Sequence, residues 1–240
     1  MDISIILPTY CESGNIGQLI EAIEANLTST QRQLEIIVVD DNSPDGTADV
    51  VQQLHPLPGV EIRCLVRTQE RGLATAIKYG IQHAKGERVL VMDTDFNHSP
   101  DNLSKMIALL DQYDLVIGSR FVKGGGMEDR LRYFCSLIFN IFIRMVLWVP
   151  VNDNLSGFYA IKRECLNELP VDAIFDGYGE YFIRLVYLAY RKKFRLHEIP
   201  VFYTLRKTGE SKSHFGSMIV DYSRTTFALR FQKRNQQPKI

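Results

Sequence analysis

The stretch LEIIVVDDNSPDGT, residues 34 to 47, decides the fold. It opens on an apolar run and ends abruptly in two carboxylates, Asp40 and Asp41, followed by turn residues. A strand with one wet face alternates apolar and polar side chains, whereas a strand covered on both faces reads as a continuous apolar run. Comparable runs recur as ISIIL (3 to 7), EIRCLV (61 to 66), RVLVMD (88 to 93) and DLVIGS (114 to 119), and most are continuous. The intervals 14 to 27, 45 to 54, 72 to 84 and 101 to 110 are of crossover-helix length. Such repeated βα units predict a doubly wound, mostly parallel α/β sheet with helices on both faces and ligands at the carboxyl ends of its strands.

The composition limits what those ligands are. The chain has 240 residues, 45% of them hydrophobic and 23% charged, as in an ordinary globular protein. Lys plus Arg equals Asp plus Glu at 28 each, so no global field gathers nucleic acid, and any anion site must be local. Cys11, Cys64, Cys135 and Cys165 lie far apart with no C-x-x-C pair, which indicates neither a zinc site nor a disulfide framework and makes a reducing cytoplasm the expected setting. The amino-terminal MDISIILP reads as a first strand rather than a signal peptide. The longest apolar stretch, residues 134 to 151, is interrupted by Asn140, Arg144 and Pro150 and falls short of the roughly 20 largely apolar residues that span a bilayer.

Polar clusters sit where the strands end: Pro8 to Glu12 after the first, Asp40 to Ser43 after the second, and Asp93-Thr94-Asp95 after the fourth. Alone, an Asp after a strand is usually the cap of the next helix, and Asp45 and Asp101 are expected in that role. Three clusters converging on one sheet edge are harder to explain that way. Residues i and i+2 of an extended chain point to one side, so Asp93 and Asp95 can face one point. Close carboxylates repel unless a cation neutralises them, and an oxygen-rich site suits Mg²⁺ or Mn²⁺, with Asn97 a candidate third oxygen. The carboxylates at the second strand end suit the N–H groups of a base or the hydroxyls of a ribose. Neither a P-loop nor a G-x-G-x-x-G fingerprint is present, which argues against an ATPase and a nicotinamide dehydrogenase.

After Gly124-Gly125-Gly126 the pattern changes. A basic, aromatic segment (128 to 149) precedes a strand within VNDNLSGFYAIKR (151 to 163), a helix near 179 to 190, a strand over 194 to 205, the charged loop RKTGESKSH, and an amphipathic helix from 215 to 231. The expected organisation is one domain, 1–231, in two halves, 1–120 and 121–231, with a disordered tail at 232–240. Residues 137 to 149, near Arg130, Arg132 and Arg144, and residues 215 to 231, with Arg224 and Arg230, either lie in a membrane interface or pack on the sheet.

The motifs PTYCE, VVDDNSPDGT, VMDTDFNHSP, GSRFVKGGG, NDNLSGFYAIKR and RKTGESK, in this order, resemble glycosyltransferase family 2 with its GT-A fold, a Rossmann-like doubly wound sheet, and within it the polyprenyl- or dolichyl-phosphate mannosyltransferases. The match covers nearly the whole chain. The resemblance implies that Pro8, Tyr10, Glu12 and Asp41 contact the nucleoside, with Val39 lining its site. It implies that Asp93, Asp95 and Asn97 hold the divalent ion on the donor diphosphate, that Thr94 touches the nucleotide through its backbone, and that Arg120, Arg206 and Lys212 meet phosphates. Cys11 stands where the family commonly has Asn, Asn97 where Gln or Ser is common, and Asn154 where Pro often occurs.

That family resemblance implies transfer of a hexose, mannose from GDP-mannose first among them, to a polyprenyl phosphate, inverting the anomeric centre. The catalytic candidates are Asp95, Arg120, Asp153, Arg206 and Lys212. An alcohol acceptor would need a general base, with Asp153 the candidate; a phosphate monoester, with a second pKa of about 6, needs positioning and charge screening instead. The expected location is cytoplasmic and peripheral to the membrane, held by the apolar helices or by a membrane-embedded partner subunit. The alternatives are a UDP-glucose or UDP-N-acetylhexosamine transferase and a nucleotide-sugar-binding module without turnover. The absence of a Q-x-x-R-W element disfavours a processive polysaccharide synthase.

Overall fold

The computed structural model describes residues 1–27, 32–204 and 215–231. The first half alternates as the runs predict: β1 (Ile3–Thr9), α1 (Ile16–Leu27), β2 (Leu34–Asp40), α2 (Thr47–Gln52), β3 (Val60–Val66), α3 (Leu73–His83), β4 (Arg88–Val91), a 3-10 turn (Pro100–Asn102), α4 (Leu103–Leu109) and β5 (Leu115–Ser119). There follow β6 (Gly126–Met127), α5 (Arg130–Leu147), β7 (Tyr159–Lys162), α6 (Arg163–Asn167), α7 (Val171–Ile174), α8 (Tyr181–Arg191), β8 (Leu196–Pro200), β9 (Phe202–Tyr203) and α9 (Phe215–Phe231).

Among the described residues, seven strands form one sheet in the order β3-β2-β1-β4-β7-β5-β8, parallel except for β7, which runs antiparallel between β4 and β5. The chain builds outward from β1 to β3 and then returns to place β4 on the other side of β1. That reversal opens a crevice at the carboxyl ends of β1 and β4, the place where open α/β sheets bind ligands.

Every residue of β1 and β2 is buried, as continuous runs require. Ile3, Ile5 and Leu7 pack with α1 and α4, while Ile6, Ile37 and Val39 pack with α3 and α8 on the opposite face. At about 1.5–3 kcal/mol for each fully buried aliphatic side chain, these two layers hold the strand ends in place. Gly80 is what lets α3 lie close: a Cβ there would stand 2.5 Å from Ile6 Cγ2 and 3.2 Å from Val39 Cγ2.

One departure from the sequence reading lies at 194 to 205, where a single strand was expected. The chain leaves the main sheet after Pro200: Val201 N still donates to Ser119 O, while Val201 O accepts from Gly126 N, and β9 pairs with β6 in a separate two-stranded ribbon. The tail at 232–240 and the loop RKTGESKSH lie outside the described residues.

Candidate functional site

A cavity of about 420 Å³ opens at the crevice. β1 supplies Pro8, Thr9 and, just beyond it, Tyr10 and Glu12; the loop after β2 supplies Asp41; Asp93, Thr94 and Asp95 follow β4; Arg71 to Leu73 and Ala76 come from the start of α3, and Tyr178 from the segment before α8. Of the sequence-predicted donor residues, the structure therefore gathers Pro8, Tyr10, Glu12, Asp41, Asp93, Thr94 and Asp95 on one cavity.

The loops that do this share a backbone feature. Cys11, Asn42 and Phe96 each adopt left-handed φ values, of 55°, 55° and 62°. Non-glycine residues rarely adopt them, and here each strand end turns sharply so that its neighbours face the crevice. The first two loops are also tied to each other. Cys11 N donates to Ser43 Oγ (2.8 Å), Glu12 N to Thr47 Oγ1 (3.0 Å) and Ser13 N to Asp45 Oδ2 (3.0 Å). Asp45, expected as a helix cap, is not one, since Gly46 holds the N-cap position of α2 without a side-chain bond; Asp45 instead ties the two loops together, and burial is outweighed by its bonds to Thr47 and Ser13, which hold its carboxyl below the usual range. Asp101 is not the cap of its turn; Ser99 is, accepting from Asp101 N.

At the end of β4, Asp93 keeps 42% of its side chain exposed, whereas Asp95 is buried. Asp95 is braced by Asn97, whose main-chain N–H reaches Oδ1 at 3.1 Å and whose amide Nδ2 reaches Oδ2 at 2.8 Å. Asn97 was expected as a third metal oxygen; it does not line the cavity and instead orients the second carboxylate. His98 is fully buried, and its Nδ1 accepts from Asp93 N at 2.9 Å. Burial pushes its pKa down to about 4, against the pull of Asp95, so the ring is neutral.

On the wall that follows β2, Asp41 is clamped by Arg67. Arg67 Nε donates to Asp41 Oδ1 at 2.7 Å and Nη2 donates to the same oxygen, while Gly72 N donates to Oδ2 at 2.8 Å. Arg71 lies over the Tyr10 ring, 4.9 Å from its centroid, with Nη1 3.2 Å from the Tyr10 hydroxyl. Neither arginine was singled out from the sequence. The available signal was their position: RTQERG follows β3 as the other clusters follow their strands.

Three expected residues are placed elsewhere. Val39 is wholly buried among Ile6, Ile37 and α3 and does not line the cavity, because it points into the helix-packed layer. Arg120 and Asp153, 5% and 0% exposed, form a buried pair. Arg120 N, Nε and Nη2 donate to the Asp153 carboxylate at 3.0, 2.8 and 2.7 Å, and the guanidinium stacks on Tyr203 and Phe121. Both oxygens of the enclosed Asp153 carboxylate are thus engaged by Arg120. Arg206 and Lys212 lie outside the described residues.

Could a divalent ion fit? Among the described residues no three His, Cys, Asp or Glu side chains form a metal-binding group. Mg²⁺ and Mn²⁺ do not need one: they take one or two carboxylates and complete their shell with water and substrate phosphate. Asp93 and Asp95, hard oxygen donors on one cavity wall, fit that chemistry.

Residues 4–169 match the profile of Glycosyl transferase family 2. The chain belongs to that family. It is therefore a glycosyltransferase, and relatives with named activities align over most of its length. A dolichol-phosphate mannosyltransferase of Pyrococcus furiosus is 32% identical over 95% of this chain, which spans 64% of that relative's length. A polyprenol monophosphomannose synthase of Mycolicibacterium smegmatis is 34% identical, the alignment covering 87% of this chain and 79% of the relative. A dolichol-phosphate mannosyltransferase of Saccharomyces cerevisiae is 30% identical, over 92% and 84%. In fold, this family 2 chain matches the glucosyl-3-phosphoglycerate synthase of Mycobacterium tuberculosis solved with Mn²⁺ and UDP: TM-score 0.71, 20% identity, covering 95% of this chain and 79% of the other.

Proposed function

We propose that this glycosyltransferase moves mannose from GDP-mannose to a polyprenyl phosphate at the cytoplasmic face of a membrane, with inversion at the anomeric carbon. The observation that carries the donor side is the convergence of Asp93 and Asp95 with Tyr10, Glu12 and Asp41 on one cavity at the sheet's switch point. The relatives named as mannosyltransferases support the sugar and the acceptor class.

Asp93 and Asp95 would hold Mg²⁺ or Mn²⁺. When bound, the ion supplies neutralisation of the charge that develops on the departing diphosphate. The chain's own residues bind and orient. Asp41, fixed by Arg67, offers its remaining acceptor capacity to the nucleoside; Tyr10 and Pro8 provide apolar surface beside it; Arg71 brings a cation to a wall otherwise rich in carboxylates. Arg206 and Lys212 are assigned to the phosphates, where a charge-assisted bond is worth most if water is excluded. A phosphate acceptor is already largely dianionic at neutral pH and needs no general base, which agrees with the enclosure of Asp153.

The acceptor's lipid tail calls for a membrane-facing surface, and α5 offers one. Leu131, Phe134, Ile138, Ile141, Met145 and Trp148 recur every three or four residues and are each at least 43% exposed. The opposite face packs Ile143 and Leu147 against α8 and α9, so the helix is held while its stripe stays outside. Arg230 of α9 sits over the Trp148 ring at 5.0 Å, next to exposed Phe227 and Phe231. Apolar stripes edged by Trp and Arg suit the headgroup region. No helix among the described residues is long and apolar enough to cross a membrane.

The test is to incubate the protein with Mg²⁺, a polyprenyl phosphate and a panel of radiolabelled GDP- and UDP-sugars, and to count label in the organic phase. Label from GDP-mannose is expected. No lipid-phase product from any donor would overturn the acceptor assignment.

A further inference from the structure

His98 has a defined place that the donor chemistry above does not use. It accepts the main-chain N–H of Asp93 through Nδ1 at 2.9 Å, so its own proton must sit on Nε2. That nitrogen is buried and stands 3.8 Å from Asp93 Oδ2. The ring is fixed from the other side by the second half of the chain. It stacks on Phe158 (centroids 4.8 Å, planes 9° apart) and lies against Tyr203 at 5.0 Å. Tyr203 in turn donates to Ser156 O at 2.9 Å and shares the Ser156 hydroxyl at 3.1 Å.

We propose that His98 is a positioning residue for the cation clamp: the Phe158–Tyr203 wall fixes the imidazole, and the imidazole fixes the Asp93 backbone. Two braces then act on the pair, Asn97 on the Asp95 carboxylate and His98 on the Asp93 backbone. Phe96, left-handed at φ 62°, separates the braced residues Asp93 and Asp95 from the bracing residues Asn97 and His98, so both braces close across that turn. A ring that only filled space would not need an acceptor at Nδ1. The inference rests on the reading of Asp93 and Asp95 as metal ligands.

The experiment uses the isotopes and variants that separate the two. Asn at position 98 offers Oδ1 near the place of Nδ1, whereas Phe keeps the stacked ring without an acceptor. Mn²⁺ binding is followed by electron paramagnetic resonance in the presence of GDP, with thermal melting of each variant alongside. His98→Phe should weaken Mn²⁺ binding by roughly 10- to 100-fold, the usual effect of removing a group that orients a ligand, and His98→Asn should recover most of it. In parallel, ¹⁵N–¹H long-range spectra of histidine-labelled protein without metal should show the His98 proton on Nε2, the resonances being assigned by their loss in His98→Asn. Unchanged Mn²⁺ affinity in a folded His98→Phe protein, equal weakening in both variants, or a proton on Nδ1 would each overturn the inference. If wild type fails to bind Mn²⁺ with GDP while the Nε2–H tautomer is found, the metal reading falls and the clamp role falls with it, but the His98–Asp93 bond stands.

Discussion

Replacing Asp153 by Asn separates two roles that the sequence leaves open. Asp153 is wholly buried and receives three bonds from Arg120, itself 5% exposed. Asn keeps the size but removes the charge and turns a donor toward a guanidinium that has only donors. Removing one partner of a buried pair costs about 3–5 kcal/mol, because the other charge is left uncompensated. In a chain of this length that corresponds to a fall in Tm of roughly 6–20 °C. Calorimetry should show that loss in D153N, together with a kcat per folded molecule that stays within a few fold of wild type. The double variant Arg120→Met with Asp153→Leu should regain part of the stability, since no charge is then stranded. Were Asp153 a general base, D153N would melt near the wild-type temperature while kcat fell by roughly 10²–10⁴. That pattern would refute the structural assignment.

Other consequences follow from the same geometry. Cys11→Asn should stabilise the chain by roughly 0.5–1 kcal/mol in urea unfolding, because Asn tolerates the left-handed φ of 55° better than Cys; a destabilised variant would contradict the backbone argument. Glu35 is fully buried; burial tends to raise its pKa, but bonds from Ser4, the Lys85 and Gly86 amides and Arg63 outweigh this and hold it below its ordinary 4.5. Its contribution is therefore present above about 4.5 and lost as pH falls through the lowered folded value. Glu35→Gln should be less stable at pH 7 and show a flatter acid limb, and an unchanged slope would refute this. Substituting Glu for Leu131, Ile138 and Met145 together should lower sedimentation with anionic vesicles at least tenfold at constant Tm, and unaltered binding would remove α5 from the membrane face.

Much of the fold was legible because the parallel strands announce themselves: Ile3 to Leu7 and Ile36 to Val39 are apolar on successive positions since both faces are covered. That Asp93 and Asp95 gather at the crevice was legible for a related reason, since a polar pair at a buried strand's end has no role in the core. What stayed hidden depends on long-range placement. Nothing local in YAIK tells that β7 inserts antiparallel between β4 and β5, and it is this insertion that brings Asp153 to Arg120, 33 residues away. Val39 was misplaced because the strand's alternation sends it to the α3 layer while the ligand side begins only past the strand end, at Asp41. His98 carried no chemistry in the sequence because its partner is a backbone N–H five residues earlier, reached only through the turn at Phe96.

The crevice at the ends of β1 and β4 is expected to take a nucleoside diphosphate and a divalent ion together. Crystals grown with Mn²⁺ and GDP test it directly through anomalous scattering from the metal. One strong Mn²⁺ peak is expected at roughly 2.1 Å from oxygens of Asp93 or Asp95 and of the diphosphate, with the nucleoside beside Tyr10 and Asp41. A nucleotide seated elsewhere, or a Mn²⁺ peak away from both carboxylates, would contradict it.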